Sequence, residues 1–150
     1  MAARRYLSAS EEETVAVGRR IAESLPPDAA LLLDGDLGAG KTVLTRGVAL
    51  HLGIDPGEIQ SPTFTLVREH DGPRGRLIHA DLYRLKPAEA EAIGLEELFA
   101  GPGLKVVEWS ERLPFEVPGA VRFMLRRTGQ GGREIVEERG GSPPDPEPQA

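Results

Sequence analysis

The chain has 150 residues, a net charge of −6 with neutral histidines, a pI near 5.1 and no cysteine. This length predicts a single domain and excludes a multi-domain motor, and the acidic balance argues against nucleic acid as a direct ligand. The lack of cysteine excludes a disulfide frame, a cysteine-ligated metal and a thiol nucleophile, and His51, His70 and His79 lack metal-ligand spacing. No apolar run approaches the length of a membrane span, and the residues MAARRY lack the apolar stretch of a signal peptide, so we expect a cytoplasmic protein.

The first predicted element is a helix from Ser10 to about Leu25. Ser10 is followed three residues later by Glu13, which is the spacing of a capping box, and a Pro-Pro pair at 26–27 ends the helix. The apolar run at 30–34 then predicts a buried strand.

The next residues, GDLGAGKT at 35–42, match the phosphate-binding P-loop pattern. The motif follows the apolar run and opens a helical pattern that Gly53 stops, which is the context the motif requires. Backbone N–H groups of such a loop and of the helix N-terminus bind phosphates, and we expect Lys41 to reach the β- and γ-phosphates and Thr42 to ligate Mg²⁺. The expected nucleotide-binding residues in this segment are Gly35, Asp36, Gly38, Ala39, Gly40, Lys41, Thr42 and Val43.

Further along, strands and short helices alternate. Residues 65–69 and 77–80 predict a hairpin, Pro87 opens a short helix, and the run at 104–108 predicts a buried strand. Two more runs, 121–127 and 134–138, predict a closing hairpin, and the Pro- and Gly-rich tail at 140–150 is expected to be disordered, leaving 1–139 as the domain. The pattern predicts a three-layer α/β fold of the P-loop NTPase type, with a mostly parallel central sheet and an antiparallel C-terminal edge hairpin.

Two acids end predicted strands and are candidates for metal and water chemistry. Asp81 follows the run at 77–80, and Glu108 ends the run at 104–108. Parallel strands deliver such side chains to the ligand crevice, although a solvated edge charge or a helix N-cap is the alternative for each. Since Val106 and Val107 make the second run apolar on both faces, we expect Glu108 on a central strand holding Mg²⁺ beside Thr42, and Asp81 orienting the attacking water. The sequence leaves open which acid activates the water.

Missing residues restrict the class further. The chain has no asparagine, so the guanine-reading Asn-Lys-x-Asp motif of GTPases is absent and ATP or ADP is the expected nucleotide. The Ser-Gly-Gly signature of ABC ATPases is also absent, because Gly-Gly occurs only at 131–132 and 140–141. Two alternatives to an ATPase stay open: a small-molecule kinase, whose best lid candidate is the short turn at 70–76, and a nucleotide-switch module that binds ATP without turning it over.

Four motifs in this order resemble the TsaE (YjeE) family over about residues 7 to 138. They follow the P-loop and are SPTFTLV at 61–67, HADLYRL at 79–85, Gly94 before an acidic helix, and EWSE at 108–111. The resemblance implies a bacterial P-loop ATPase that works with TsaB and TsaD in making N6-threonylcarbamoyladenosine beside the tRNA anticodon. It also implies that the chain meets tRNA only indirectly, through the complex.

The resemblance adds expectations for single residues. Thr63 would sense the γ-phosphate as switch loops do, and His79 would support Asp81. Adenine would pack near the two ends of the chain, against Glu11 and Thr14 of the first helix and Arg133 of the final hairpin.

Trp109 is the only tryptophan, and we expect it to point away from Glu108 as neighbouring residues do in an extended chain. That orientation leaves two alternatives, a core residue or a contact beside the nucleotide or a partner.

Overall fold

The parallel strands of the central sheet all have their carboxyl ends on the same side of the sheet. The computed structural model describes residues 3–36, 38–60, 67–84, 86, 88 and 94–138. Its described strands are β1 (Arg5–Ser8), β2 (Ala30–Asp34), β3 (Val67–Gly72), β4 (Gly75–Asp81), β5 (Leu104–Glu108), β6 (Val121–Arg127) and β7 (Arg133–Glu138). The described α-helices are α1 (Glu11–Glu23), α2 (Lys41–Leu52) and α3 (Leu95–Ala100).

The strand order is β1-β7-β6-β2-β5-β4-β3. The four central strands, β6, β2, β5 and β4, are parallel to one another. Strand β3 pairs antiparallel with β4 at one edge, and at the other edge β7 pairs antiparallel with β6 and with β1. This arrangement confirms the expected mostly parallel sheet with an antiparallel C-terminal hairpin. The register sets Glu108 beside Leu33 of β2 and Asp81 of β4, so the carboxyl ends of three strands are aligned.

Two apolar layers cover the sheet. Helices α1 and α2 pack on one face, where Leu31, Leu33, Val106 and Phe123 point, and α3 and the segment after β5 pack on the other, around Leu32 and Val107. Strands β2 and β5 are buried at every residue, as expected of central parallel strands covered on both faces. No helix among the described residues is long and apolar enough to cross a membrane.

The contact between α1 and α2 is close enough to require glycine on both helices. A Cβ on Gly18 would lie 2.1 Å from the carbonyl oxygen of Leu44, and a Cβ on Gly47 would lie 2.0 Å from that of Val15. The packing of α1 therefore fixes the position of α2, the helix that begins at the P-loop.

Most predicted elements are confirmed, and the differences have physical causes. Ser10 caps α1 by accepting the Glu13 N–H at 3.1 Å, and the helix ends at Glu23, slightly before the expected Leu25. Strand β1 was not predicted, because its four residues are ordered by pairing with distant β7. Strand β3 extends to Gly72, beyond the predicted 65–69, because it pairs with β4 up to the turn. Pro87, Thr63 and the tail at 140–150 lie outside the described residues.

We expect Gly47→Ala to lower the free energy of unfolding by about 1–3 kcal/mol, the usual cost of overpacking. In an exposed helix the same change would raise the free energy of unfolding by about 1 kcal/mol, so a loss of stability identifies the close helix contact. Urea unfolding measures the change. Gly101→Ala is the control, since its φ of −86° suits alanine and a Cβ there has no neighbour nearer than 3.5 Å. A Gly47→Ala variant as stable as this control would contradict the close packing.

Candidate nucleotide-binding and catalytic site

The P-loop lies between β2 and α2, as predicted. Strand β2 ends at Asp34, and α2 begins at Lys41 after Gly40, whose φ of 102° favours glycine. The N-terminal amides of α2 have no side-chain cap at this end, which leaves donors for an anion. Of the other expected residues, Gly35, Asp36, Gly38 and Ala39 precede this helix, and Val43 lies in its first turn.

Lys41 is buried at the centre of the loop, with 4% of its surface exposed. Its ammonium donates to the carbonyl of Gly35 and, at 3.2 Å, to that of Asp36, and it lies 3.9 Å from the centroid of the Trp109 ring. Burial lowers the pKa of Lys41, while the nearby carboxylates, Glu108 first, oppose that shift. The amine is thus held by loop carbonyls and an aromatic face in a position from which it can turn to a phosphate.

Glu108 joins three elements through its carboxylate. The hydroxyl of Thr42 at the start of α2 donates to both carboxylate oxygens at 3.0 Å, and His79 Nε2 on β4 lies 2.5 Å from Oε2. The side chains of His79 and Glu108 are 0% and 4% exposed. His79 therefore contacts Glu108, whereas we expected it to be a supporting residue beside Asp81.

The Thr42–Glu108 pair suits a hard divalent cation. A hydroxyl and a carboxylate are oxygen ligands of the kind Mg²⁺ takes when phosphates and water complete its shell. Within the part of the chain that the structure describes, no cluster of three or more histidine, cysteine and acidic side chains forms a metal site made by protein alone. The donor set thus fits a metal shared with a nucleotide.

Asp81 ends β4 directly beside Glu108 on β5. Its Oδ1 accepts the backbone N–H of Tyr83 at 3.0 Å, so the carboxylate also shapes the turn that follows the strand. Asp81 adds to the negative potential at the Lys41 ammonium, after Glu108 and Glu111. Both predicted strand-end acids therefore face the P-loop lysine from neighbouring strands.

The residues expected near adenine do meet beside the P-loop. Glu11, Thr14 and Arg133 line a small cavity of about 30 Å³ together with Gly40 and Val43. Arg133 donates to the carbonyl of Gly38 at 3.1 Å, which ties the final hairpin to the loop. Thr14 is buried with its hydroxyl 2.6 Å from that of Ser8, a residue of the unpredicted strand β1. Contact of these residues with a base stays a prediction.

The extended backbone expected at Trp109 was wrong. Its backbone lies in the left-handed region, at φ 61° and ψ 46°, because β5 ends at Glu108 and the chain turns into the short 3₁₀ segment Ser110–Arg112. The ring folds back over Lys41 and packs on Tyr83, with centroids 4.8 Å apart. The half-buried ring therefore lies beside the phosphate loop and also packs against the apolar layer around Leu32 and Val107, so each of the two alternatives describes part of its surroundings.

A buried ion pair next to the P-loop was missed. Arg122 on β6 donates through Nη1 to Asp34 at 2.5 Å and to the Ser110 hydroxyl at 2.8 Å, and Ser110 donates its backbone N–H to Asp34 at 3.0 Å. The three residues connect the last position before the P-loop to the segment after Glu108. Arginine inside the apolar run VRFML is the sequence signal that could have indicated a buried partner.

A buried strand followed by a P-loop and a helix, with acids on two neighbouring strands, defines an α/β P-loop nucleotide-binding protein. The family model described as "Threonylcarbamoyl adenosine biosynthesis protein TsaE" matches residues 8–135. The chain belongs to the TsaE family.

Individual relatives agree with this assignment. The chain is 40% identical over 130 residues to a protein of Nostoc sp., covering 84% of this chain and 80% of that protein. It is 38% identical over 133 residues to one of Bacillus subtilis, covering 88% and 83%. Both are named "tRNA threonylcarbamoyladenosine biosynthesis protein TsaE". The crystal structure of Bacillus subtilis YdiB is similar with a TM-score of 0.70 and 35% identity, over 91% of this chain and 84% of that one.

We expect Arg122→Met to lower the free energy of unfolding by about 3 kcal/mol, because it leaves the buried Asp34 carboxylate without its cation. The double variant Asp34→Asn with Arg122→Met should recover most of that loss, since no unpaired buried charge remains. Denaturant unfolding measures both, and Arg126→Met, which removes an exposed guanidinium from the same strand, is the control. Equal losses in the two arginine variants would refute a structural role for the buried pair.

Proposed function

We propose that this chain binds ATP with Mg²⁺ and hydrolyses it in support of N6-threonylcarbamoyladenosine formation beside the tRNA anticodon, together with TsaB and TsaD. The observation on which the proposal rests is the contact of the P-loop Thr42 with the strand-end Glu108, beside the buried Lys41. The tRNA modification in the proposal comes from the names of the relatives in the same family.

Each part of the P-loop has its own task in this proposal. Lys41 leaves the carbonyls of Gly35 and Asp36 and binds the β- and γ-phosphates, while the loop amides from Gly38 to Thr42 hold the β-phosphate. Thr42 and Glu108 hold the metal or its water shell. When bound, Mg²⁺ neutralises charge that develops on the transferred phosphate.

Glu108 and Asp81 divide the remaining work. Glu108 lies on β5 between β2 and β4, and His79 fixes its carboxylate toward Thr42 from the other side. Asp81 is one strand further from the P-loop, at the end of β4. We propose that Thr63 senses the γ-phosphate. Asp81 would orient the attacking water and that switch.

Adenine would lie between the N-terminus of α1 and the turn between β6 and β7. Glu11 and Thr14 contribute one side, and the guanidinium of Arg133 contributes the other, where a planar cation can stack on the base. We further propose that the domain spans 1–139, that the tail at 140–150 lies outside it, and that the protein acts in the cytoplasm.

The contacts at the β3–β4 turn disfavour the kinase alternative. Arg74 donates to the carbonyls of His51 at 2.6 Å and Leu50 at 3.0 Å, so the tip of this hairpin is fastened to the end of α2. A turn held in this way is a poor lid for a second substrate.

The carbonyl and aromatic contacts of Lys41 favour slow ATP turnover by the chain alone, with partners required for full activity.

We expect Lys41→Ala to abolish ATP turnover measured with TsaB and TsaD present, because it removes the cation at the β- and γ-phosphates. Phosphate release is the measurement, and circular dichroism checks that the variant is folded. Arg19→Ala, which removes an exposed charge on α1, should retain wild-type turnover. Undiminished turnover in folded Lys41→Ala would rule out the P-loop site, whereas phosphate transfer from wild type to a metabolite would favour a kinase.

The two acids should differ in a titration of ADP at varied Mg²⁺. Glu108→Ala is expected to weaken Mg²⁺-dependent ADP binding by about 1–3 kcal/mol, the cost of losing one partner of a charged contact. Asp81→Ala should leave ADP affinity nearly unchanged and suppress turnover with partners. Glu97→Ala, an exposed acid on α3, is the control. The reverse result would exchange the two roles.

A further inference from the structure

A cavity of about 570 Å³ is lined by Trp109 and, next to it, by the P-loop residues Gly35 and Asp36. The Trp109 cavity, as we call it, has apolar walls that include Trp109, Phe115 and Met124 and an acidic rim that includes Asp36, Glu111 and Glu116. None of Lys41, Thr42 and Glu108 lines it. Its volume falls within the roughly 300–1,000 Å³ of typical binding sites.

The charges around the Trp109 cavity do not balance. Four carboxylates line it, those of Asp34, Asp36, Glu111 and Glu116, against the single guanidinium of Arg122. Arg122 is already bound to Asp34. Among the described residues, Asp36, Glu111 and Glu116 form no ion pair with a basic side chain. Burial and the neighbouring Asp34 raise the pKa of Glu111, and the Lys41 ammonium opposes that shift.

The walls have the composition of a protein interface. Leu113, Phe115 and Val117 are half-buried and alternate with the exposed Pro114 and Glu116, so one segment provides both the apolar floor and the charged rim. An apolar centre surrounded by charged groups is the usual arrangement of a protein contact. The cavity is also large enough for more than one side chain.

We propose that the Trp109 cavity is a docking site for a partner-protein segment in which a lysine or arginine stands next to apolar side chains. The apolar side chains would pack on Phe115 and Met124, and the cation would meet Glu111 and Glu116. This inference deepens the proposed function by giving the chemistry of the partner. It rests on that function only for the choice of TsaB and TsaD as partners in the last experiment.

Trp109 connects the docking site to the nucleotide site. The same ring lies 3.9 Å from the Lys41 ammonium and packs on Tyr83. A segment that moves this ring therefore alters the environment of the lysine, and a nucleotide that moves the lysine alters the cavity wall. Such coupling is reciprocal, so docking and nucleotide binding should change each other's affinity by the same factor.

The full chain contains two natural probes of the cavity. Trp109 is the only tryptophan, and Met124 is one of two methionines, the other being Met1. We would titrate the chain with acetyl-Leu-Arg-Leu-amide and, as the matched control, acetyl-Leu-Glu-Leu-amide. The arginine peptide should move the ¹³C-methyl signal of Met124 and the emission of Trp109 but not the signal of Met1. Equal responses to both peptides, or none at millimolar peptide, would overturn the inference.

Charge removal then tests the rim. The double variant Glu111→Gln with Glu116→Gln should bind the arginine peptide about tenfold more weakly, since both changes keep the shape and remove the attraction. Glu23→Gln with Glu58→Gln makes the same change in net charge at exposed sites away from the cavity and should bind as wild type. Equal weakening in both double variants would overturn the inference, because it would mean that only overall charge matters.

The last experiment uses the TsaB–TsaD pair and separates this inference from the proposed function. Loss of stimulated turnover in the single rim variant Glu116→Gln, which keeps Glu111 beside Lys41, with unchanged ADP affinity in the absence of partners, would support docking at the cavity. Stimulated turnover that the rim variant leaves intact would keep the proposed function and overturn the docking site. A cavity that binds the arginine peptide in a chain whose turnover the pair does not stimulate would keep the docking site and overturn the proposed function.

Discussion

The carboxylate of Glu108 is the contact on which the arrangement of the site depends. It is buried, it accepts from Thr42 at the first turn of α2, and it is bound by His79 on β4. A buried charge without such partners would cost several kcal/mol, so the three groups must be in place together for the fold to be stable. The same contact sets the phosphate loop against the ends of β4 and β5, where the second acid lies.

The rest of the fold keeps these groups aligned. The parallel register aligns the carboxyl ends of β2, β4 and β5, and the glycines at the α1–α2 crossing hold the P-loop helix beside those strand ends. On the other side, the Asp34–Ser110–Arg122 contacts fix the turn that returns Trp109 over Lys41. Lys41 is thereby held between the P-loop carbonyls and the Trp109 ring, and that ring also forms a wall of the Trp109 cavity.

Local features of this protein could be predicted from sequence because their causes are local. The P-loop, the Ser10 cap, the Gly53 stop and both hairpins depend on residues near one another in the chain. Strand β1, the Arg122–Asp34 pair and the contact of His79 with Glu108 depend on residues brought together from distant segments, and no periodicity reports such pairing. The extended backbone expected at Trp109 was wrong for another reason. A left-handed backbone at a non-glycine residue is rare, so an extended chain was the natural expectation.

A crystal structure of the chain with Mg²⁺ and a non-hydrolysable ATP analogue would test the central role of Glu108 most directly. We predict that the Lys41 ammonium leaves the Gly35 and Asp36 carbonyls for the phosphates. We also predict that Thr42 and Glu108 face the same ion while His79 stays on Glu108. An ion held by Asp81, with Glu108 still bound only to Thr42 and His79, would contradict this prediction.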